Sequence, residues 1–364
     1  MPFIHPKGSP TSRIWVVVDA PLSTDIAKGF LFSGGLGYVF DKMMMDAGIG
    51  DYYVVCRRPN TDVPEAFHII ENELNQYKPP FIIAIGATGS FFCEALKPNN
   101  KHKSYVTQLG KYVGSLLKAS YKSLNFEHYI MPMYDVSKFV QGWAERNITT
   151  YFDMQKLREE YTYWRIHGKL QELPQRELLY KDMDLDNLLL LFRRFKQSKL
   201  ISVDIETCYP KGDSVFKPHP GYPITIGIAD SPSFGISFNL FRESPRETVI
   251  LWRELNEVFR SVPNLGQNYF NFDAHFLNSL GFDIDLRTIQ DTLIRHHVLW
   301  PELPHKLQFM TRQYTREPYY KDEGHAWNLK SMNKLRRYNC LDVCVTYEIY
   351  LQQEEEFNER KYLR

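Results

Sequence analysis

The chain has 364 residues, 43% hydrophobic and 15% aromatic, which excludes a disordered or fibrous protein and allows two or three domains of ordinary size. Lys and Arg number 44 against 43 Asp and Glu, a net charge of +1, so no global excess of either sign marks a partner. Five scattered cysteines without zinc spacing, and no apolar run of membrane-spanning or signal-peptide form, lead to the expectation of a soluble protein in a reducing cytoplasm.

Residues 1–150 alternate short apolar runs with helical patterns. The runs are Ile14–Val18, Tyr52–Val55, Phe81–Ile85 and His128–Met131, and helices are expected near Leu36–Asp46, Pro64–Tyr77, Gly89–Leu96 and Val136–Arg146. Apolar strands separated by helices indicate βαβ units and a parallel sheet covered on both faces. Between Ala95 and Phe126 there is no Asp or Glu, while Lys97, Lys101, Lys103, Lys111, Lys118 and Lys122 fall inside. That stretch reads equally as a phosphate-tracking surface and as an ordinary solvated face.

Residues 151–196 change character: Phe152–Ile166 and Leu185–Phe195 are charged and amphipathic, and read as a helical connector. Residues 197–364 open with strand-like runs at Leu200–Ile205, Ile224–Ile228 and Phe234–Phe238. A helix with proline in its first turn follows over Pro245–Phe259, then a strand near Asn264–Gln267 and a mainly helical remainder. Cys340 and Cys344 share a helix face and are expected to pack in a core.

Within ISVDIET (Ile201–Thr207), an apolar strand carries Asp204 and Glu206 two residues apart, on one face. Like charges that close raise each other's pKa unless a cation separates them. The run itself supplies no Lys or Arg, and hard divalent cations prefer carboxylate oxygen. Two further acids follow. Asp273 ends NYFNFD (Asn268–Asp273) at an expected helix start. Asp342 ends YNCLD (Tyr338–Asp342), where Tyr338 and Asp342 share a helix face. Taken one by one, Asp273 reads as a helix cap and Tyr338 with Asp342 as a solvated pair. That reading explains each residue separately but not the set.

The order D-x-E on a strand, N-x-x-x-F-D, then Y-x-x-x-D on a late helix resembles the DEDD superfamily of 3′→5′ exonucleases, in the subgroup whose last motif carries tyrosine. QDTLIRHHVLWPELPHKL (Gln290–Leu307) looks like the segment after the second motif in proofreading exonucleases of family A DNA polymerases. YTREPYYKDEG (Tyr314–Gly324) looks like virus-encoded members. The resemblance implies an RNase H-like exonuclease domain with a mixed sheet over 197–364, holding two divalent ions, Mg²⁺ or Mn²⁺. Asp204 would bridge the two ions, Glu206 and Asp342 would complete the first, and Asp273 would serve the second. It also implies that Tyr338 orients the attacking water, while Asn268 and Phe272 contact the substrate strand, Phe272 by packing on sugar or base.

The run DAPLSTDIAKGFLFSGGLG (Asp19–Gly37), with CRRP (Cys56–Pro59) and IAIGATG (Ile83–Gly89), is similar to thermophile-type uracil-DNA glycosylases over residues 12–150. The departures are large. That family's uracil-reading Asn aligns with Tyr52, its His-Pro motif with Asp135-Val136, and its iron–sulfur cysteines are missing. A glycosylase must stabilise a departing uracil anion, which an aspartate opposes. The front domain is therefore expected to be an α/β, parallel-sheet, glycosylase-like module without activity, in which Phe32 stacks on a base.

The expected partners are the 3′ end of single-stranded or primer-template DNA and a separately encoded DNA polymerase, in the cytoplasm of a host if the source is viral, with no membrane. Alternatives are an RNA-trimming exonuclease, since the same site serves both sugars, and a DNA-tethering accessory subunit whose nuclease is incidental.

Overall fold

The computed structural model describes residues 4–57, 66–92, 105–118, 124–135, 144–208, 222–321 and 332–362. It divides into two units, Met1–Glu172 and Leu173–Arg364. The stretch read as a connector is split between them: helix Ala144–His167 falls in the first and helix Leu185–Phe195 in the second.

In the first unit, strands β1 (Ile14–Val18), β2 (Tyr53–Cys56) and β3 (Phe81–Ile85) are buried at every residue. Alternation sends Ile14, Val16 and Val18 into one core with Phe40 and Leu157, and Trp15 and Val17 into another with Ile70 and Leu74. The sheet order is β2-β1-β3-β5-β4, where β4 is Leu117–Lys118 and β5 is Tyr129–Met133. The first four run parallel, as the spacing implies, but β4 pairs antiparallel with β5 and makes the sheet mixed. A two-residue edge strand carries no periodicity for a sequence reading to detect. Of the basic stretch, Lys97, Lys101, Lys103 and Lys122 lie outside the described residues. Lys118 pairs with Glu127 at 2.7 Å.

In the second unit, β7 (Ile201–Cys208), β8 (Tyr222–Ser231) and β9 (Phe234–Asn239) form an antiparallel meander. Strands β10 (Asn264–Gly266) and β11 (Gln290–Asp291) add parallel beyond β7. At the other edge, β6 (Glu177–Leu179) runs parallel to β9, inside the stretch read as a helical connector. The order β11-β10-β7-β8-β9-β6 gives a mixed sheet, consistent with the RNase H-like arrangement that the resemblance implies.

Ile201, Val203 and Ile205 point into one core, closed by Leu188, Phe192 and Phe195 of one helix and Leu251, Leu255 and Phe259 of another. Asp204 and Glu206 must then face the opposite side of the sheet. There the helix Met332–Tyr362 crosses β7, β8 and β9. Its close approach needs small residues on the strands. A Cβ at Gly235 would meet Cys344 Sγ at 2.6 Å, and one at Gly227 would meet Asn339 Oδ1 at 2.7 Å and the Asn339 carbonyl oxygen at 3.0 Å. Cys340 and Cys344 are fully buried there, as core packing requires. Among the described residues no helix is long and apolar enough to cross a membrane.

Gly227→Ala should therefore lower the unfolding free energy by about 1–3 kcal/mol, the usual result of overpacking a tight contact. A chemical-denaturation midpoint equal to that of the unaltered protein would show that the helix can retreat freely.

Candidate active site

Three elements build the acidic centre. Strand β7 places Asp204 and Glu206 on the face turned from the apolar core. The helix Met332–Tyr362 brings Tyr338, Asn339 and Asp342 over that face, with Tyr338 and Asp342 one turn apart. One carboxylate oxygen from each of Asp204, Glu206 and Asp342 lies within 4.8 Å of the others. Asp273 opens the helix Asp273–Ser279, and its Oδ1 accepts the Ile205 N–H at 2.9 Å. That amide lies between the two acids of β7, so the fourth carboxylate is pinned to their strand.

Several residues without a motif role also shape this centre. Asn339 donates through Nδ2 to Asp204 Oδ2 at 2.6 Å and to the Asp204 carbonyl at 3.1 Å. Its Oδ1 accepts from Ser237 at 2.7 Å and Thr225 at 3.2 Å. Lys321 donates to Asp342 Oδ2 at 2.5 Å and to the Tyr338 hydroxyl at 2.9 Å. Asp291 accepts the N–H groups of Asn268 and Phe270, each at 3.0 Å, and of Leu293 at 2.9 Å. Both Asn339 and Lys321 stand inside strings that carry the motifs. What fixes their roles is distance across the fold, which spacing does not encode.

The residues expected to touch substrate are placed differently. Asn268 has φ +58°, a left-handed conformation that Asn tolerates. Phe272 is half-buried and packs against the main core, its ring 6.2 Å from that of Phe276. Phe32 belongs to the other unit. It is 4% exposed and packs edge-on to Phe40 at 5.1 Å, so its ring is part of that unit's core.

Crowding shows in the proton affinities. Burial raises the Asp204 carboxyl to about 7; the Asp342 charge adds to the rise, while Lys321 and Asn339 oppose it. Burial also pushes Glu206 up to about 9, with Asp204 and Asp342 next in effect. Asp273 lies well above the ordinary carboxylate range, through burial first and Asp204 second. The Tyr338 phenol is driven up by burial and by Asp342, Glu206 and Asp204, so it stays protonated as a hydrogen-bonding group rather than a base. Asp342 Oδ1 is buried and has no hydrogen-bond partner among the described residues. Three converging carboxylate groups, with an unsatisfied oxygen on one of the residues, suit a hard divalent cation.

No protein-family model matches the sequence, and neither does any curated protein. Solved structures similar to it include the catalytic core of RRP6 from Trypanosoma brucei, at 16% identity and TM-score 0.37 over 50% of this chain and 49% of that one. The Nibbler EXO domain of Aedes aegypti matches at 16% identity and TM-score 0.39, over 52% of this chain and 94% of that one. RNase D of Escherichia coli, described as an exoribonuclease involved in structured RNA processing, matches at 16% identity and TM-score 0.34, over 50% and 46%. The match spans about half the length of the trypanosome and bacterial chains.

Without a cation, the folded protein holds protons at Asp204, Glu206 and Asp273 that an unfolded chain releases above pH about 4. Its stability should fall as pH rises from there to about 9, where Glu206 ionises. A bound cation must expel those protons, so affinity climbs across the same window. Calorimetric titration with Mn²⁺ near neutral pH, in two buffers of different ionisation enthalpy, should register net proton release. Heats identical in the two buffers would mean that the carboxyls are already ionised.

Proposed function

We propose that the second unit is a divalent-metal-dependent 3′→5′ DNA exonuclease. One observation carries the reading: Asp204, Glu206 and Asp342 converge within 4.8 Å, with Asp273 bonded to the strand between the first two. They come from three segments far apart in sequence, in the order of the tyrosine-type DEDD motifs. Two ions, Mg²⁺ or Mn²⁺, would be held by these four carboxylates and would acidify a water and neutralise charge on the phosphodiester. The chain's own groups do the positioning. Asn339 fixes the Asp204 carboxylate, and the Ile205 amide fixes Asp273. The Tyr338 phenol, kept protonated, orients the attacking water. Water oxygen then bonds to phosphorus as the P–O3′ bond breaks, releasing a nucleoside 5′-monophosphate and a strand with a new 3′-hydroxyl. Asn268, on a loop whose amides Asp291 holds, and Phe272 are assigned to the terminal nucleotides.

The substrate is assigned as DNA, and a separately encoded DNA polymerase as the partner, on the sequence likeness to family A proofreading domains. Host cytoplasm is the matching location. An RNA substrate is the second reading, because a 2′-hydroxyl is all that separates the two at such a centre.

For the first unit we infer a glycosylase-like module that no longer cuts. Its four parallel strands suit that fold. The Tyr52 hydroxyl, at the position aligned with the uracil-reading residue, donates to Asp41, which Lys7 also engages. Polar groups there are thus occupied with one another. The full chain should release no uracil from a uracil-containing oligonucleotide, and measurable release would overturn this inference.

The nuclease reading is tested on matched 5′-labelled DNA and RNA strands with Mn²⁺ or Mg²⁺. The unaltered chain should shorten DNA from its 3′ end. Asp204→Ala should lose about 10³-fold or more, the several kcal/mol expected of metal-assisted charge stabilisation. Tyr338→Phe should lose about 10²-fold, as for a group that positions a proton-bearing nucleophile. Full activity in Asp204→Ala would end the assignment, and faster degradation of RNA would exchange the substrate.

A further inference from the structure

Lys321 is the one lysine whose ammonium touches the acidic centre among the described residues, and the fold delivers it there. Residues 315–321 follow the helix Leu307–Tyr314 and are pinned at two points. Glu317 pairs with the buried guanidinium of Arg176 at 3.2 Å. Tyr320 is 7% exposed, packs with Met310, Leu341, Val345 and Ile349, and sets its ring 6.0 Å from that of Tyr338. The next residue has little choice of direction. The Lys321 side chain is 17% exposed, and its ammonium lies 4.8 Å from the Tyr338 ring centroid and 5.3 Å from that of Tyr320, within cation–π range.

Its two hydrogen bonds go to groups that the proposed chemistry needs. Asp342 Oδ2 accepts at 2.5 Å, while Asp342 Oδ1 is buried and has no partner among the described residues. The Tyr338 hydroxyl accepts at 2.9 Å, which uses a lone pair that a water would otherwise meet. A single positive charge cannot balance Asp204, Glu206 and Asp342 together, yet it compensates the most enclosed of them. A divalent cation carries twice the charge and takes several oxygens at once, so it answers the same need better. Ammonium and dication repel strongly at such separations in a poorly screened site. Lysine's flexible stem lets the charge withdraw while Tyr320 stays anchored.

We propose that Lys321 is an internal counter-ion, holding Asp342 and Tyr338 in place when no divalent cation is bound, and that an arriving cation must displace it. It is a positioning residue and not a catalytic one. Its contact leaves the site ordered but idle: one carboxylate oxygen and the phenol are both engaged until the ammonium leaves. This rests on the metal-dependent reading above.

The test measures Mn²⁺ binding to the full chain without nucleic acid, by the loss of the free-ion paramagnetic resonance signal, beside thermal melts with and without chelator. Removing the competitor in Lys321→Met should tighten Mn²⁺ binding about tenfold, lower the melting temperature in chelator, and enlarge the rise that Mn²⁺ gives. Lys321→Arg, which keeps the charge, should stay near the unaltered protein. A merely structural lysine would leave Mn²⁺ affinity unchanged or weaken it, and either result in Lys321→Met overturns the proposal. If Lys321→Met does not fold in chelator, Mn²⁺ must restore its melting transition, and failure to do so also overturns it. The two readings fail separately. Tighter binding without any strand degradation by the unaltered chain sinks the nuclease assignment alone. Degradation with unchanged affinity in Lys321→Met sinks the counter-ion alone.

Discussion

Repulsion among carboxylates on one face of a strand is the constraint around which the second unit is arranged. Alternation along β7 leaves no choice about it: once Ile201, Val203 and Ile205 fill the core, Asp204 and Glu206 must share the other side. An apolar cover there would bury charge without compensation, at a cost of several kcal/mol per ion. The helix that covers that face brings Asn339 instead. That amide is fully satisfied, since two hydroxyls donate to its oxygen and its nitrogen donates twice to Asp204. The same hydroxyls fix which way the amide points, so the Asp204 carboxylate meets a donor and not an oxygen. Gly227 is the other half of the arrangement, because any side chain there would occupy the space of the Asn339 carboxamide.

A second tier fixes the loop between β10 and the helix of Asp273. Asp291 caps its own helix through the Leu293 amide and also accepts from Asn268 and Phe270. One carboxylate thereby sets both the start of a helix and the path of the loop leading to Asp273. Asn268 sits in the left-handed region, which a β-branched residue would enter only under strain. With the loop held there, Asp273 reaches back to the Ile205 amide. Charge on Asp291 is spent on three amides, which separates its structural task from that of the four acids at the centre.

The long, strongly patterned parts of this architecture were legible in the sequence. Runs such as Ile14–Val18 and Phe81–Ile85, buried on both faces, need no tertiary information to be read as interior strands. The three acidic motifs were equally readable, because D-x-E on a strand and Y-x-x-x-D on a helix each fix a shared face. The two- and three-residue strands β4, β6 and β11 were not, being too short for any period to show. Phe32 illustrates a different limit. A motif assigns a residue to a family position, but the close contact with Phe40 that buries its ring is a fact of packing. Lys321 was illegible for a third reason: its string, Tyr314–Gly324, marks a likeness without assigning it a role, and only the anchoring of Tyr320 aims it.

Two kinds of positive charge can relieve the crowding at β7, protons and metal ions, and their consequences differ. Burial first, and then the charges of Asp204 and Asp342, raise the proton affinity of Glu206, so a proton is one way of relieving the crowding. Protonation alone would satisfy such a site, and a chain that needed only stability would do better with an amide or an apolar side chain at these positions. Instead one oxygen from each of three carboxylates converges, Asp342 Oδ1 has no hydrogen-bond partner among the described residues, and Lys321 engages the other Asp342 oxygen. Protons need neither convergence nor an unsatisfied oxygen, since each titrates its own carboxyl. A dication needs both. The convergence of these oxygens therefore favours the reading in which the acids are kept ionisable for a cation.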